Sequence, residues 1–184
     1  MSKKEFSEFI SRQKPPVEEQ PIDWRLEKEE WLRYLDDLYK LIENFLKEYT
    51  DRGQITVTYS DIELIEENIG RYTARAMMLA FGTNRLTLTP IGTLLIGTKG
   101  RVDLSGPKGT VRLILADKNS TGIKIVVRSH VLGHGDMAAE SPAPEEMRKP
   151  DWEWKVVVTN APQLRYQSLT QEAFFDALME VSNA

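Results

Sequence analysis

One long amphipathic stretch restricts the possible folds of this chain more than any other feature. Between residues 24 and 49, apolar side chains recur at spacings of three and four and cover roughly 160° of a helical circumference. The opposite side of this helix is polar and charged. An arc this wide exceeds the narrow apolar seam of a coiled coil. We therefore expect a helix that lies on a sheet or on another helix, with its apolar side in the core.

The ends of this helix are also marked in the sequence. Asp23 is a suitable N-cap, and Gly53 follows the last periodic residue in the position of a helix stop. The apolar side contains Trp31 and several tyrosines, and such aromatic residues are favoured at protein interfaces as well as in cores. A homodimer through the Trp31 face is therefore an alternative use of the same surface.

After this helix, the apolar pattern changes to the period of two that is typical of strands. Residues 101–105, 111–115 and 123–127 alternate between apolar and polar types and are separated by turn sequences. They predict a three-stranded antiparallel meander. Further short strands are expected at 55–59, 86–88, 93–97 and 152–158.

Residues 61–80 fit two patterns. Their apolar spacing suits a helix, but Gly70 would lie inside it, and Gly82 begins a sequence typical of a hairpin turn. We predict a helical or irregular segment over 61–68 and a strand from Arg71 to Phe81. The chain then ends in a short helix over 173–181, with either Thr170 or Ser168 as its N-cap.

These elements predict an α+β fold. A long N-terminal helix and a short C-terminal helix would pack on a curved antiparallel β-sheet or half-open barrel of about six to seven strands. Residues 1–22 are rich in proline and acidic side chains, which predicts a flexible lead-in. Residues 23–184 would form a single domain with a long loop over 129–150.

Composition excludes several classes of protein. The chain has no cysteine, so it has no disulfide scaffold, no thiolate zinc site and no cysteine nucleophile. It also has no apolar run of the roughly 20 residues that span a bilayer. The charged N-terminus is not followed by the apolar segment of a signal peptide. We therefore expect a soluble, cytoplasmic protein.

Charge is distributed unevenly along the chain. Residues 68–128 contain 10 basic and 2 acidic side chains, whereas the segments on both sides are acidic. A cluster of this kind predicts a surface that binds an anionic or protein partner. The alternative is that the acidic ends fold back over the basic middle. The candidate partner-binding residues are Arg71, Arg75, Arg85, Arg101, Arg112, Lys124 and Arg128, together with Lys99 and Lys108.

His130, His134 and Asp136 are the residues best suited to hold a metal ion, since imidazole and carboxylate are common ligands of zinc. Gly133 and Gly135 disfavour a helix there, so the ligands would come from a loop. The segment 92–99 approaches a phosphate-binding loop, but its lysine and threonine are transposed. We therefore predict no nucleotide and no other cofactor.

The sequence therefore favours a binding or interaction module over an enzyme. Such a module would present its basic sheet surface to an anionic or protein partner. One alternative is a nucleic-acid-associated protein, because positive charge of this kind also binds phosphates. The other alternative is a metal-dependent enzyme that uses the His130, His134 and Asp136 loop.

Overall fold

A computed structural model describes residues 22–93, 98–121, 150–160 and 163–183. Two helices pack on one antiparallel sheet of seven strands, which confirms the predicted α+β class. The elements in chain order are α1 (Trp24–Asp51), β1 (Thr56–Glu66), β2 (Gly70–Phe81), β3 (Asn84–Gly92), β4 (Thr98–Gly106), β5 (Gly109–Asp117), β6 (Trp152–Asn160), β7 (Gln163–Ser168) and α2 (Gln171–Val181).

The sheet is a simple meander in which every strand pairs with the next strand in the sequence. β1 and β7 are the two edges and do not pair with each other, so the sheet is open. The pairing of β1 with β2 continues to Glu66 opposite Gly70, whereas the pairing of β2 with β3 ends at Met77 opposite Leu88. The first hairpin therefore extends beyond the rest of the sheet.

The first helix begins and ends where the sequence predicts. The Asp23 carboxylate accepts hydrogen bonds from the backbone N–H groups of Arg25 and Leu26. Gly53 follows the helix with a φ of 68°, a conformation that other residues rarely adopt. The predicted apolar side is buried against the sheet. Its fully enclosed side chains are those of Trp31, Leu35, Leu38, Tyr39, Ile42 and Leu46.

The prediction of a helical or irregular segment over 61–68 is wrong for residues 61–66, which belong to β1. The predicted strand from Arg71 to Phe81 is confirmed as part of β2. The helical spacing of Ile62 and Ile65 was misleading, because Ile65 is among the most exposed apolar residues of the protein. Continuous pairing with β2 outweighs the weak helical preference of the segment.

The predicted meander needs one correction. β4 and β5 are confirmed, but the strand next to β5 is β6, with Leu113 opposite Val156. Residues 123–127, which were expected in that position, lie outside the described residues, as do residues 94–97 of another expected strand. β7 was not predicted.

The second helix lies over β4, β5 and β6. It also contacts the C-terminal half of α1. Thr170 is its N-cap, because the Thr170 hydroxyl accepts a hydrogen bond from the backbone N–H of Ala173. The rings of Phe174 and Phe45 lie 6.1 Å apart. In the part of the chain that the structure describes, neither helix combines the length and hydropathy required to cross a membrane.

Candidate functional site

The predicted basic residues divide between the two sides of the sheet. Val102 and Leu104 face the core, so the alternating Arg101 faces away from the helices. The same alternation places Arg85 and Arg112 on this outer side. Arg101 is paired there with the Asp103 carboxylate, whose oxygen lies 2.6 Å from the guanidinium.

Three other cations are held by carboxylates. Arg75 reaches Asp36 of α1 at 2.6 Å, and this hydrogen bond raises the pKa of Arg75. Arg71 reaches Glu63 on the neighbouring strand at 2.5 Å. Lys99 also pairs with α1. These contacts with α1 agree with the alternative in which an acidic segment covers part of the basic middle.

The remaining sequence candidates lie outside the described residues. These are Lys124, Arg128, His130, His134 and Asp136. Within the described residues, His, Asp and Glu side chains nowhere gather in a group of three that would suit a metal ion. The basic surface is therefore not one continuous patch where the structure describes it.

The face of α1 that was considered for a homodimer is occupied within the chain. Trp31 is 0% exposed, and its indole ring lies against Gly100 of β4. A Cβ atom at position 100 would come within 2.2 Å of this ring, so glycine is required for the close approach. Trp154 packs beside it, with ring centroids 6.1 Å apart. Trp31 is therefore a core residue of the monomer and is not available to a second copy.

A cluster of polar side chains surrounds this tryptophan at one end of the molecule. Glu66 is only 8% exposed, and its carboxylate accepts hydrogen bonds from the Tyr72 hydroxyl and from both the backbone N–H and the hydroxyl of Thr93. Burial is the main cause that raises the pKa of Tyr72, and the hydrogen bond with Glu66 adds to it. The carboxylate therefore ties the end of β3 to the first hairpin.

Lys99 lies at the same end of the molecule and pairs with α1. It is the extra residue of a β-bulge, since Thr98 lies opposite Ala116 and Gly100 lies opposite Leu115. The bulge directs its ammonium group to Glu27 and Glu30 of α1, both at 2.6 Å. Burial alone would lower the pKa of Lys99, but the two carboxylates raise it. We call this region, defined by Trp31, Glu66, Tyr72, Thr93 and Lys99, the closed end.

The opposite end of the molecule contains an apolar cleft of about 550 Å³. It lies between the last turns of α1, the start of β1, the end of β2 and the C-terminal half of α2. We call this region the open end. It is lined by Leu46, Tyr49, Ile55, Phe81, Phe175, Leu178, Met179, Ser182 and Asn183.

An aromatic contact and two hydrogen bonds connect the elements that border the cleft. The Phe175 and Tyr49 rings meet edge to face at 5.8 Å, which joins α2 to the last turns of α1. Asn84 and Asn183 exchange two hydrogen bonds of 2.9 and 3.3 Å, which tie the end of α2 to the hairpin between β2 and β3. Met179 remains 66% exposed at the mouth of the cleft. The elements that border the cleft are therefore connected to each other by specific contacts.

The walls of the cleft offer few polar groups. Its walls are apolar apart from the Tyr49 hydroxyl, Ser182 and Asn183. The Ser182 hydroxyl is already used, since it donates to the backbone oxygen of Leu178 at 2.5 Å. Among the described residues, no carboxylate, amine, guanidinium or imidazole lines the cleft.

Two exposed cations lie at turns that adjoin the end of α2, although neither of them lines the cleft. The Arg85 guanidinium lies over the β2–β3 turn, where it donates to the backbone oxygens of Gly82 and Asn84. Gly82 directly follows Phe81, which lines the cleft. Lys108 lies in the β4–β5 turn, and its backbone N–H donates to the oxygen of Val181 at 3.1 Å. Neither side chain has a carboxylate partner within the described residues.

The sequence patterns gave no direct sign of this cleft. Phe175 and Met179 lie four residues apart on α2, on a different side of the helix from its buried residues. Such an apolar pair outside the core side was the available signal. The chain matches no protein-family model, no curated protein and no solved structure.

Proposed function

We propose that this protein is a non-catalytic binding module whose ligand enters the apolar cleft at the open end. The occupant is the hydrocarbon chain of a small single-chain molecule. The observation that carries this proposal is a cleft of about 550 Å³ with almost entirely apolar walls. Ligand sites in proteins are typically concave, apolar and roughly 300–1,000 Å³ in volume.

The lining favours hydrocarbon over a more polar ligand. Each methylene group that leaves water for such a cleft contributes about 0.8 kcal/mol to binding. A polar ligand would lose its hydrogen bonds to water, and the cleft offers few replacements. Two other surface concavities support ligand binding less well, because charged side chains such as Glu43 and Lys47, or Asp176 and Glu180, contribute to their walls.

Titration with octanol, decanol and dodecanol tests this proposal. These alcohols share one neutral head group, so differences in affinity report burial of the chain. We expect the dissociation constant to fall by about fourfold for each added methylene until the cleft is full. In methyl NMR spectra, the signals of Leu46, Ile55 and Met179 should shift, while those of Ile65 at the opposite end should not.

Two matched variants locate the binding. Met179→Gln places a polar side chain of similar size at the mouth of the cleft and should weaken decanol binding. Ile65→Gln makes the same kind of change at an equally exposed residue of the closed end and should leave binding unchanged. Equal effects of the two variants, or no binding of any alcohol, would overturn the proposal. A dimer in light scattering that Met179→Gln dissociates would instead assign the cleft to a second copy of the chain.

The basic outer side of the sheet supports a second candidate, the binding of an anionic partner such as a nucleic acid. Arg112 is exposed there, although Asp103 lies directly opposite and offsets part of its charge. Binding of this kind depends steeply on salt. Absence of duplex DNA or RNA binding at low ionic strength would remove this candidate. The proposed metal-dependent enzyme stays a prediction, since His130, His134 and Asp136 lie outside the described residues.

A further inference from the structure

We propose that a slot in the sheet between β5 and β6 binds an extended segment of a protein partner that carries basic side chains. The slot is a concavity of about 400 Å³ whose walls come from β5, β6, β7 and α2. It lies on the opposite side of α2 from the cleft, because Asp176 and Glu180 line the slot whereas Phe175 and Met179 line the cleft. The slot is therefore a second site, and its use does not depend on a ligand in the cleft.

The slot exists because β6 pairs with only part of β5. The pairing of β5 with β4 continues to Gly109, the first residue of β5. Its pairing with β6 stops at Leu113 opposite Val156, although β6 continues to Asn160 and pairs there with β7. The first residues of β5 therefore form an edge inside the sheet, with a paired strand on one side only.

Backbone groups without a partner point into the slot. The Tyr166 N–H donates to the oxygen of Thr121, away from β6, so Val157 opposite Tyr166 directs its backbone groups toward β5. The same alternation directs the N–H groups of Thr110 and Arg112 toward the slot. Within the described residues, neither N–H group has a backbone acceptor on this side. Another extended chain would supply the missing acceptors, as when a peptide adds a strand to the edge of a sheet.

The charges beside the slot favour a basic segment. Asp176 and Glu180 are both exposed, lie four residues apart on α2, and have no basic partner among the residues that the structure describes. The side chains of a bound strand would alternate between the two sides of the sheet, so every second one would face α2. The carboxylates that make this slot unsuitable for hydrocarbon therefore suit lysine or arginine at those positions.

Two short peptides with blocked ends test the proposal. One alternates valine with lysine, and the other alternates proline with lysine, so they carry the same charge but the second lacks every second backbone N–H. At saturation, the valine–lysine peptide should slow amide hydrogen exchange at Thr110 and Arg112 by about tenfold or more, because both N–H groups gain acceptors. The amides of Val111 and Leu113 face β4 and should exchange at unchanged rates. The proline–lysine peptide should bind more weakly and protect neither Thr110 nor Arg112.

Matched variants test the role of the carboxylates. Asp176→Asn and Glu180→Gln should each weaken the binding of the valine–lysine peptide by about threefold, because each removes one exposed charge. Glu29→Gln removes an exposed carboxylate from the first turns of α1, which do not line the slot, and should leave the affinity unchanged. NMR titration of the four proteins measures these affinities. An equal effect of all three substitutions would overturn the proposal, because it would reduce the interaction to general attraction by the acidic surface.

The exchange data can overturn the proposal in two further ways. Unchanged exchange at Thr110 and Arg112, or the same slowing by both peptides, would mean that no strand is added at the slot. Slow exchange at both amides in the protein without peptide would assign the slot to a segment of the chain itself, or to a second copy if the slowing increases with protein concentration. Each of these results leaves the proposed function intact, because decanol binding in the cleft is measured separately.

Discussion

The two ends of the molecule differ in how their side chains are packed and paired. At the closed end, Glu66 accepts three hydrogen bonds and Lys99 contacts two carboxylates, while Trp31 fills the space against the sheet. At the open end, the side chains around the cleft are apolar, and Met179 remains largely exposed. Polar side chains that are paired within the chain stabilise the fold. Apolar side chains that stay exposed in a cleft are typical of ligand-binding surfaces.

The difference follows from where α1 meets its neighbours. Its first turns lie against the β4 bulge, where glycine lets the Trp31 ring approach the backbone closely. Its last turns line the cleft together with the end of β2, and two pairs of aromatic rings join them to α2. One helix thus seals one end of the sheet and forms a wall of the cleft at the other.

Truncation of an aromatic residue at each end should give the largest contrast. We expect Trp31→Ala to lower the free energy of unfolding by about 3–5 kcal/mol, because the ring is fully buried and leaves a cavity. Phe175→Ala should lower the free energy of unfolding by less than half of that amount, because the Phe175 ring lines the cleft and is not enclosed on all sides. Urea denaturation measures both values. Equal losses would mean that the open end is as tightly packed as the closed end.

Removal of the Glu66 charge tests whether the closed end depends on its polar contacts. Glu66→Gln should lower the free energy of unfolding by about 1.5–3 kcal/mol, because hydrogen bonds to a buried charged group are weakened. Glu67→Gln, at the neighbouring exposed position, is the control and should change stability by less than about 0.5 kcal/mol. A loss at Glu66 no greater than at Glu67 would show that the carboxylate has no structural role.

Alkaline pH should weaken the closed end through Tyr72. Its pKa in the folded protein is raised above the ordinary value of about 10, so the unfolded chain loses this proton at a lower pH than the folded chain. The stability that Tyr72 contributes is therefore complete below pH 10 and declines above it, by up to about 1.4 kcal/mol per pH unit.

Urea denaturation of the normal protein and of Tyr72→Phe, between about pH 9 and pH 11, measures this decline. The variant should lose stability less steeply with pH, because it has one fewer tyrosine to ionise. Parallel slopes for the two proteins would contradict the assignment to Tyr72. Tyr39, whose pKa is also raised mainly by burial, should produce part of the decline that remains.

Replacement of Lys99 should have a smaller effect. Lys99→Met leaves Glu27 and Glu30 close together without a cation. We expect the free energy of unfolding to fall by about 1–2 kcal/mol, because the Lys99 side chain is only 13% exposed. Lys40→Met removes an exposed ion pair with Asp37 and should lower the free energy of unfolding by less than about 0.5 kcal/mol. Thermal denaturation of both variants provides the comparison, and equal changes would place Lys99 among ordinary surface pairs.

Local patterns predicted most of the fold. Features that depend on neighbouring residues in the sequence were predicted correctly. They are the apolar arc of α1, its Asp23 cap, β4, β5 and the strand that begins near Arg71. The prediction failed at residues 61–66, where strand formation depends on pairing with β2. It also failed for the neighbour of β5, because β6 begins 35 residues after β5 ends and local patterns do not specify such pairings.

The candidate site was harder to predict from the sequence than the fold. The sequence identified the cations but not which side of the sheet each one takes, since the bulge at Lys99 reverses the expected alternation. The cleft depends on the angle between two helices that are far apart in the chain. Only the spacing of Phe175 and Met179 on α2 indicated an apolar surface outside the core.

The smallest expected effect gives the most direct test of the comparison between the two ends. Met179 and Ile65 are 66% and 69% exposed, so replacement of either by glutamine should change the free energy of unfolding by less than about 0.5 kcal/mol. Decanol should then stabilise the normal protein and Ile65→Gln to the same extent in thermal denaturation, because a ligand that binds the folded state raises the melting temperature. Decanol should raise the melting temperature of Met179→Gln by a smaller amount. A large loss of stability in Met179→Gln without ligand would instead make Met179 part of the core, and the open end would then be a packed surface like the closed one.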